Sequence, residues 1–481
     1  MKAGWTRYLS GLLLLCLLSL RLGVSQTRSA EAPIVILHVT VINPGTSSVE
    51  SDRAVTISGN HISAVSDAKN FHSPGHARII DGSGQFLIPG LWDMHVHMAF
   101  GDWFPGGREI ILPLLVANGV TGVRDMGGDV PVLFAWRKQI ASGELIGPRM
   151  VVSGPMLDGY LPGGKTFRFP SSIPVTSVED AVAAVDSLKA QQVDFIKVQS
   201  LIPHDAYLAA ATEAHKQGLP FVGHVPDAVR IDEATAVGQK SIEHMMGSSA
   251  GCSTVEDRVI KGEVDTQLLL NSFDQQRCDK MMALLAQRQV WQVPTLVWER
   301  GGTFLDQLDW KHQPLDRYVP AAWRDITWQR FKEQMMPGLQ KDPLALRQRS
   351  FAQEMSMVGA MHRTGVPFLA GTDSAPGIYI IPGFSLHDEL ANFVEAGFTP
   401  MEALQTATSN PARFLDRTDI GSVKAGGLAD LVLLSANPIN DIQNTKKINA
   451  VVIDGRYLDR AALDHMLAQA EVSAKTPKFT P

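Results

Sequence analysis

The stretch Leu87-Ile88-Pro89-Gly90-Leu91-Trp92-Asp93-Met94-His95-Val96-His97 decides how this chain folds. Side chains two apart on a strand share a face, so His95 and His97 both reach inward from one strand end. Four later residues stand in the same kind of place. Lys197 lies in Asp194-Phe195-Ile196-Lys197-Val198, His224 closes Phe221-Val222-Gly223-His224, His244 closes Ile242-Glu243-His244, and Asp373 sits in Phe368-Leu369-Ala370-Gly371-Thr372-Asp373-Ser374. Each follows a short apolar or β-branched run and precedes loop residues, as where a buried strand runs out into a loop. Taken singly, His224 and His244 also read as structural histidines, and Asp373 as a helix N-cap or turn residue. Taken in order, four imidazoles, a carboxylate and a lysine at successive strand ends read as a two-metal hydrolytic centre.

Lys197 is the odd member of the set, because an ammonium cannot ligate a cation and is costly to bury alone. Its plain reading is a lysine paired with a carboxylate. A desolvated lysine, however, has a lowered pKa and is partly neutral. A neutral amine can add carbon dioxide, and the resulting carbamate has the shape and charge of a carboxylate. On that reading Lys197 bridges two divalent ions.

Around these residues, strand-like runs alternate with amphipathic helical stretches, for instance 178–192 before the Lys197 strand and 205–217 before the His224 strand. Such alternation predicts parallel β/α architecture, and candidate ligands at the C-terminal strand ends predict a TIM-type (β/α)8 barrel. The candidate strands end near His97, Arg124, Ser153, Lys197, His224, His244, Thr295 and Asp373. Residues 33–90 read as short alternating strands with turns at Asn43-Pro44-Gly45 and Gly59-Asn60, and residues 416–465 return to strands. Neither piece makes a stable sheet alone, so the expected fold class is α/β: a barrel over 91–415 with a small β-sandwich domain built from both chain ends. The span 298–350, rich in Trp, Arg and Gln, exceeds a normal connection and is expected to form a helical insertion over the barrel. Its aromatic residues either pack that insertion or wall a pocket, the first being the simpler expectation.

Composition sets limits on partners. With 45% hydrophobic and 19% charged residues over 481 positions, the chain is ample for a barrel and a smaller domain. A formal net charge of -6 supplies no basic surface for nucleic acid. Lys2 and Arg7 precede an apolar run from Leu9 to Leu20, and Gly23-Val24-Ser25 offers small residues for cleavage before Gln26. Residues 1–25 therefore read as a signal peptide, with an uncleaved anchor as the alternative. The expectation is an exported protein, periplasmic or secreted, without stable membrane association after cleavage. Removing the signal takes Cys16 and leaves Cys252 and Cys278, an even pair that suggests one disulfide, with two free thiols as the alternative.

The same motifs carry a family resemblance. The chain resembles the amidohydrolase superfamily, in the imidazolonepropionase-like group that includes prolidase-like dipeptidases, from about residue 33 to about residue 460. The likeness rests on the 87–97 stretch, Gly119-Val120-Thr121-Gly122-Val123-Arg124-Asp125, the lysine and histidine strands, and Ala370-Gly371-Thr372-Asp373. It continues through Thr399-Pro400-Met401-Glu402-Ala403-Leu404, Ser409-Asn410-Pro411-Ala412 and Gly426-Gly427-Leu428-Ala429-Asp430-Leu431-Val432. The resemblance implies that His95, His97 and Asp373 hold a buried ion and that His224 and His244 hold a more exposed one. Lys197 bridges them as a carbamate.

The expected chemistry is hydrolysis of a small-molecule amide or peptide bond by a water that two divalent ions acidify, with Asp373 moving the proton to the leaving nitrogen. Zinc suits the nitrogen-rich set best, and manganese, iron or cobalt fit the same ligands. The loops beyond the ligands read Val198-Gln199-Ser200 and Val225-Pro226, without the tyrosine that dipeptidase relatives often place there, so the class of amide stays open. Arg124, Tyr160, Lys165 and Arg168 read as solvated loop residues or as binders of an anionic group. An esterase, lactonase or phosphotriesterase using the same two-metal site is the alternative. A silent binding protein on the same fold fits less well, because all six ligand candidates are retained. A homo-oligomer is left open.

Overall fold

The computed structural model describes residues 32–104, 106–160, 169–309, 313–375 and 377–477. The segment read as a signal peptide, 1–25, lies outside the described residues. Five strands come first: β1 (Ile34–Asn43), β2 (Ser48–Ser58), β3 (His61–Asp67), β4 (Arg78–Asp81) and β5 (Phe86–Pro89). Nine short strands follow: β6 (Leu91–Val96), β7 (Val120–Asp125), β8 (Arg149–Val152), β9 (Met156–Asp158), β10 (Ser172–Pro174), β11 (Ile196–Val198), β12 (Phe221–Gly223), β13 (Ser241–Glu243) and β14 (Trp291–Val293). Then come β15 (Leu431–Leu434), β16 (Ile448–Ile453) and β17 (Arg456–Asp459).

Strands from the two ends of the chain make one sheet in the order β17-β16-β15-β5-β1-β2-β3, with β4 beside β1. The seam between the ends is the antiparallel pairing of β5 with β15, Leu87 facing Leu433. At the far edge Ile62 N–H donates to Gly427 O at 2.8 Å and Ala429 N–H to Asn60 O at 2.9 Å, so the sheet folds back on itself. Inside the fold lie Ile36, Val55, Leu87, Leu431 and Val452, an apolar core to which both chain ends contribute.

The middle of the chain is a parallel barrel. Strands β6-β7-β8 form one arc, and β9-β11-β12-β13-β14 the other. The arcs join where Asp194 N–H donates to Val152 O at 2.9 Å and the Asp194 carboxylate accepts from Val152 N–H at 2.8 Å. The eighth stave is the extended segment Phe368–Ser374. Leu369 N–H donates to Gln292 O at 2.9 Å on one side, and Met94 N–H to Ala370 O at 2.8 Å on the other. All residues of β6, β7 and β11 to β14 are buried, as parallel strands covered by helices must be. The covering helices start at signals legible in the sequence: Asp129 caps Val130–Ser142, and Ser177 caps Val178–Ala190. Thr399 and Glu402 form a capping box ahead of Pro400 at the start of Pro400–Thr406.

The long connection after β14 is helical over Leu296–Thr303, a π-helical turn at Trp323–Trp328, and Gln329–Lys341. Its aromatic residues divide between the two expected roles. Trp323 packs edge-on to Phe104 at 5.1 Å, whereas Trp298 and Phe331 reach the cavity at the barrel mouth. Cys252 and Cys278 are bonded as a disulfide across 26 residues, both fully buried. Closing a loop of that length restricts the unfolded chain and contributes about 3 kcal/mol to stability. Among the described residues no helix is long and apolar enough to cross a membrane.

Candidate metal centre

A cavity of about 190 Å³ opens at the C-terminal ends of the barrel strands, and all six residues singled out in the sequence line it. His95 and His97 arrive on β6 and the residue beyond it, Lys197 on β11, His224 and His244 just past β12 and β13, and Asp373 from the eighth stave. Two glycines make the convergence sterically feasible. A Cβ at Gly371 would sit 2.7 Å from His95 Cβ, and one at Gly223, whose φ is +133°, would sit 2.2 Å from Val198 O and 3.0 Å from Lys197 Cδ. His244 and Asp373 themselves adopt left-handed backbone, at φ 56° and 59°, an uncommon conformation that concentrates at functional sites.

Asp373 is the hub. Its Oδ1 stands 3.2 Å from His97 Nε2 and 3.5 Å from His95 Nε2, and its Oδ2 stands 3.8 Å from His244 Nε2. Ligating atoms of His95, His244 and Asp373 lie within 4.8 Å of one another. His224 stands one ring further out, its centroid 4.9 Å from that of His244. The other nitrogen of every imidazole is engaged. His95 Nδ1 meets Glu243 Oε2 at 2.9 Å, His97 Nδ1 meets Gly127 O at 3.0 Å, His224 Nδ1 meets Ser200 Oγ at 2.7 Å, and His244 Nδ1 meets Thr295 Oγ1 at 2.6 Å. A carboxylate or carbonyl partner requires the proton on Nδ1, which leaves the Nε2 lone pair of His95 and His97 turned toward the cavity.

These residues fit divalent cations. Two Nε2 lone pairs facing an anionic oxygen repel one another unless positive charge lies between them. Asp373 Oδ1 is buried without a hydrogen-bond donor, and Lys197 Nζ is buried without an acceptor. The electrostatics point the same way. Burial holds His95 and His224 well below the usual imidazole range and brings His244 down to about 4, so these rings stay neutral at physiological pH. Burial also opposes charge on His97, but the Asp373 carboxylate 3.2 Å away outweighs it and raises that pKa. Burial lowers Lys197 to about 8, although Glu243 and Asp373 pull the other way, so a share of the amine is neutral near neutral pH.

Sequence reasoning missed the support beneath the ligands. Glu243 is fully buried and binds three partners: His95, the Ser241 hydroxyl at 2.6 Å, and Arg124 through Nη2 at 2.9 Å to each oxygen. Arg124 also donates to Met94 O at 2.6 Å and Ser241 Oγ at 3.0 Å, inside the barrel. The anion-binding reading of Arg124 is therefore corrected: its charge is spent on Glu243, because the side chain points to the barrel interior and not to a loop. Tyr160 is 42% exposed and does not line the cavity. Lys165 and Arg168 lie outside the described residues. Asp93 holds the eighth stave, accepting from Thr372 N–H at 3.0 Å and Thr372 Oγ1 at 2.6 Å, while burial raises its pKa to about 7. A charged residue in the mostly apolar run Leu91–Val96 was the available signal for Asp93.

Residues 314–458 match the model of the amidohydrolase family. The chain is 23% identical over 455 residues to ochratoxinase of Aspergillus niger, covering 88% of this chain and 85% of that one. Among solved structures it resembles a bottromycin amidohydrolase, with a TM-score of 0.71 and 23% identity over 92% of this chain and 90% of that one. It also resembles a Xaa-Pro dipeptidase with bound methionine in the active site, with a TM-score of 0.64 and 20% identity over 89% and 100% of the two chains. The chain thus carries a segment similar to the amidohydrolase family over residues 314–458 and shares the fold of these solved structures.

Proposed function

We propose that this protein is an exported, binuclear metal-dependent hydrolase that cleaves the C–N bond of a small-molecule amide or peptide. The observation that carries the reading is the convergence of four Nε2-presenting histidines, Asp373 and the unpartnered Lys197 amine on one cavity. The names of its relatives, an ochratoxinase and a bottromycin amidohydrolase, support the choice of amide over other carbonyl substrates. His95, His97 and Asp373 would hold one ion and His224 and His244 the other, with zinc best suited to so many nitrogens. Two such ions, when bound, acidify a water and polarise the scissile carbonyl.

The remaining roles belong to the chain. The neutral Lys197 amine would add to the carbon of carbon dioxide and release one proton, giving a carbamate that, with the histidines and Asp373, would hold the ions. Glu243, anchored by Arg124, keeps the proton of His95 on Nδ1 and its Nε2 on the cavity side. Thr295 Oγ1 fixes the ring of His244 in the same way. Asp373 takes a proton from the attacking water and delivers it to the leaving nitrogen. The apolar run in 1–25 supports export to a periplasm or beyond.

The test is a substrate panel on purified, metal-loaded protein: acyl amino acids, dipeptides and cyclic amides against lactones, carboxylic esters and phosphotriesters. At least one amide class should be turned over with a higher kcat/KM than any oxygen ester. Turnover confined to lactones, esters or phosphotriesters would replace amide hydrolysis with the esterase reading.

A further inference from the structure

Phe100, Phe169, Phe331 and Trp298 line the cavity above the ligands and are joined in one chain of ring contacts through the buried Trp103. It starts at His97, whose ring lies 4.9 Å from Phe100, and passes to Phe169 at 5.9 Å and on to Trp103 at 6.0 Å. From Trp103 it runs to Phe331 at 5.5 Å, then to Trp298 at 5.9 Å, and returns to the ligand set at His244, 6.5 Å from Trp298. The Phe331–Trp298 and Trp103–Phe331 pairs stand nearly edge to face, at 83° and 82°, as aromatic pairs prefer. Three separate parts of the chain supply the wall: the loop after β6, the residues before β10, and the long helical connection. Core packing alone does not call for an aromatic girdle that begins and ends on two metal-site histidines.

The charged groups of the wall are as informative. Among the described lining residues, Lys197 is the only lysine or arginine and Glu299 the only carboxylate besides Asp373. Besides the ligand set, the described wall therefore offers a substrate one carboxyl group, Glu299, and no lysine or arginine side chain.

Resting on the hydrolase reading above, we propose that the aromatic wall is a specificity pocket, so that the preferred substrates carry an uncharged aromatic ring on the group joined to the scissile carbonyl. Trp298 and Phe331 are its determinants, since both line the cavity and come from the long helical connection. The ring packs against their faces and edges while the carbonyl sits over the histidines.

Hydroxamates test this without requiring turnover, because one chelating head can carry different groups. Calorimetric titration of metal-loaded protein compares benzohydroxamate, cyclohexanecarbohydroxamate and acetohydroxamate. The expected result is benzohydroxamate binding roughly ten-fold or more tighter than acetohydroxamate, and several-fold tighter than the cyclohexyl compound. Trp298→Leu and Phe331→Leu, on different elements, should each shrink the first ratio to below about three-fold, with metal content and acetohydroxamate affinity close to those of the parent. Should either variant fail to fold, Trp298→Phe or Phe331→Tyr in its place should keep most of the preference. Equal affinity for the three compounds in the parent, equal affinity for the phenyl and cyclohexyl compounds, or ratios untouched in both leucine variants would overturn the proposal. An intact aromatic preference in a protein that hydrolyses no amide would count against amide hydrolysis and uphold the pocket.

Discussion

Replacing Asp373 by Asn is expected to lower turnover by roughly two to four orders of magnitude, the usual worth of general acid-base catalysis, with a smaller effect on metal content. Asparagine keeps the size of the side chain and one ligating oxygen but cannot accept a proton. Asp373 sits where that loss is felt most, at 3.2 to 3.8 Å from three imidazole Nε2 atoms and with a buried Oδ1 that has no other donor. Steady-state kinetics on the best amide, paired with metal analysis of the same sample, separates the two contributions. Near-normal turnover in Asp373→Asn would remove the proton-transfer role and leave a ligand only.

Lys197→Ala should lose activity by about a hundred-fold or more and give up much of its metal, because a bridging anion supplies several kcal/mol to such a centre. A lysine with Nζ buried beside Glu243, Asp373 and four histidines has no acceptor for its three protons, and burial has already brought its pKa down to about 8. Raising pH through that value increases the neutral fraction, so carbamate formation at fixed carbon dioxide should speed up from pH 6 to about 9 and then level off. Acetate or propionate added to the alanine variant should restore part of both activity and metal by occupying the vacated position. Lys197→Arg should not do so, since guanidinium stays charged and does not form the carbamate. An arginine variant with parental metal content and activity would make Lys197 a structural cation.

What was legible in the sequence and what was not follows from how far each signal reaches. The candidate residues could be read because they stand at the ends of buried strands, His95 and His97 sharing one, a local pattern that needs no knowledge of its neighbours. The barrel strands were readable for the same reason, down to the eighth stave, whose Phe368–Ala370 run is apolar although only isolated bridges tie it to its neighbours. The Arg124–Glu243 pair was hidden because its members are 119 residues apart and meet only when the barrel closes. An arginine near the end of a strand looks the same whether its side chain faces a loop or the interior. The aromatic wall was hidden by the same distance, since Trp298 and Phe331 are brought together by an insertion whose internal path no periodicity predicts. The fold-back of the terminal sheet through Gly427 and Ala429 is likewise a tertiary event.

The central claim is that this cavity holds two ions bridged through Lys197. Its most direct measurement is the metal-to-protein ratio of mature protein, stripped with chelator, reloaded with zinc in the presence of bicarbonate, and cleared of loosely held metal. The account predicts about two zinc ions per chain, falling toward one or none when bicarbonate is withheld during loading. A ratio of one or zero under full reconstitution would contradict it.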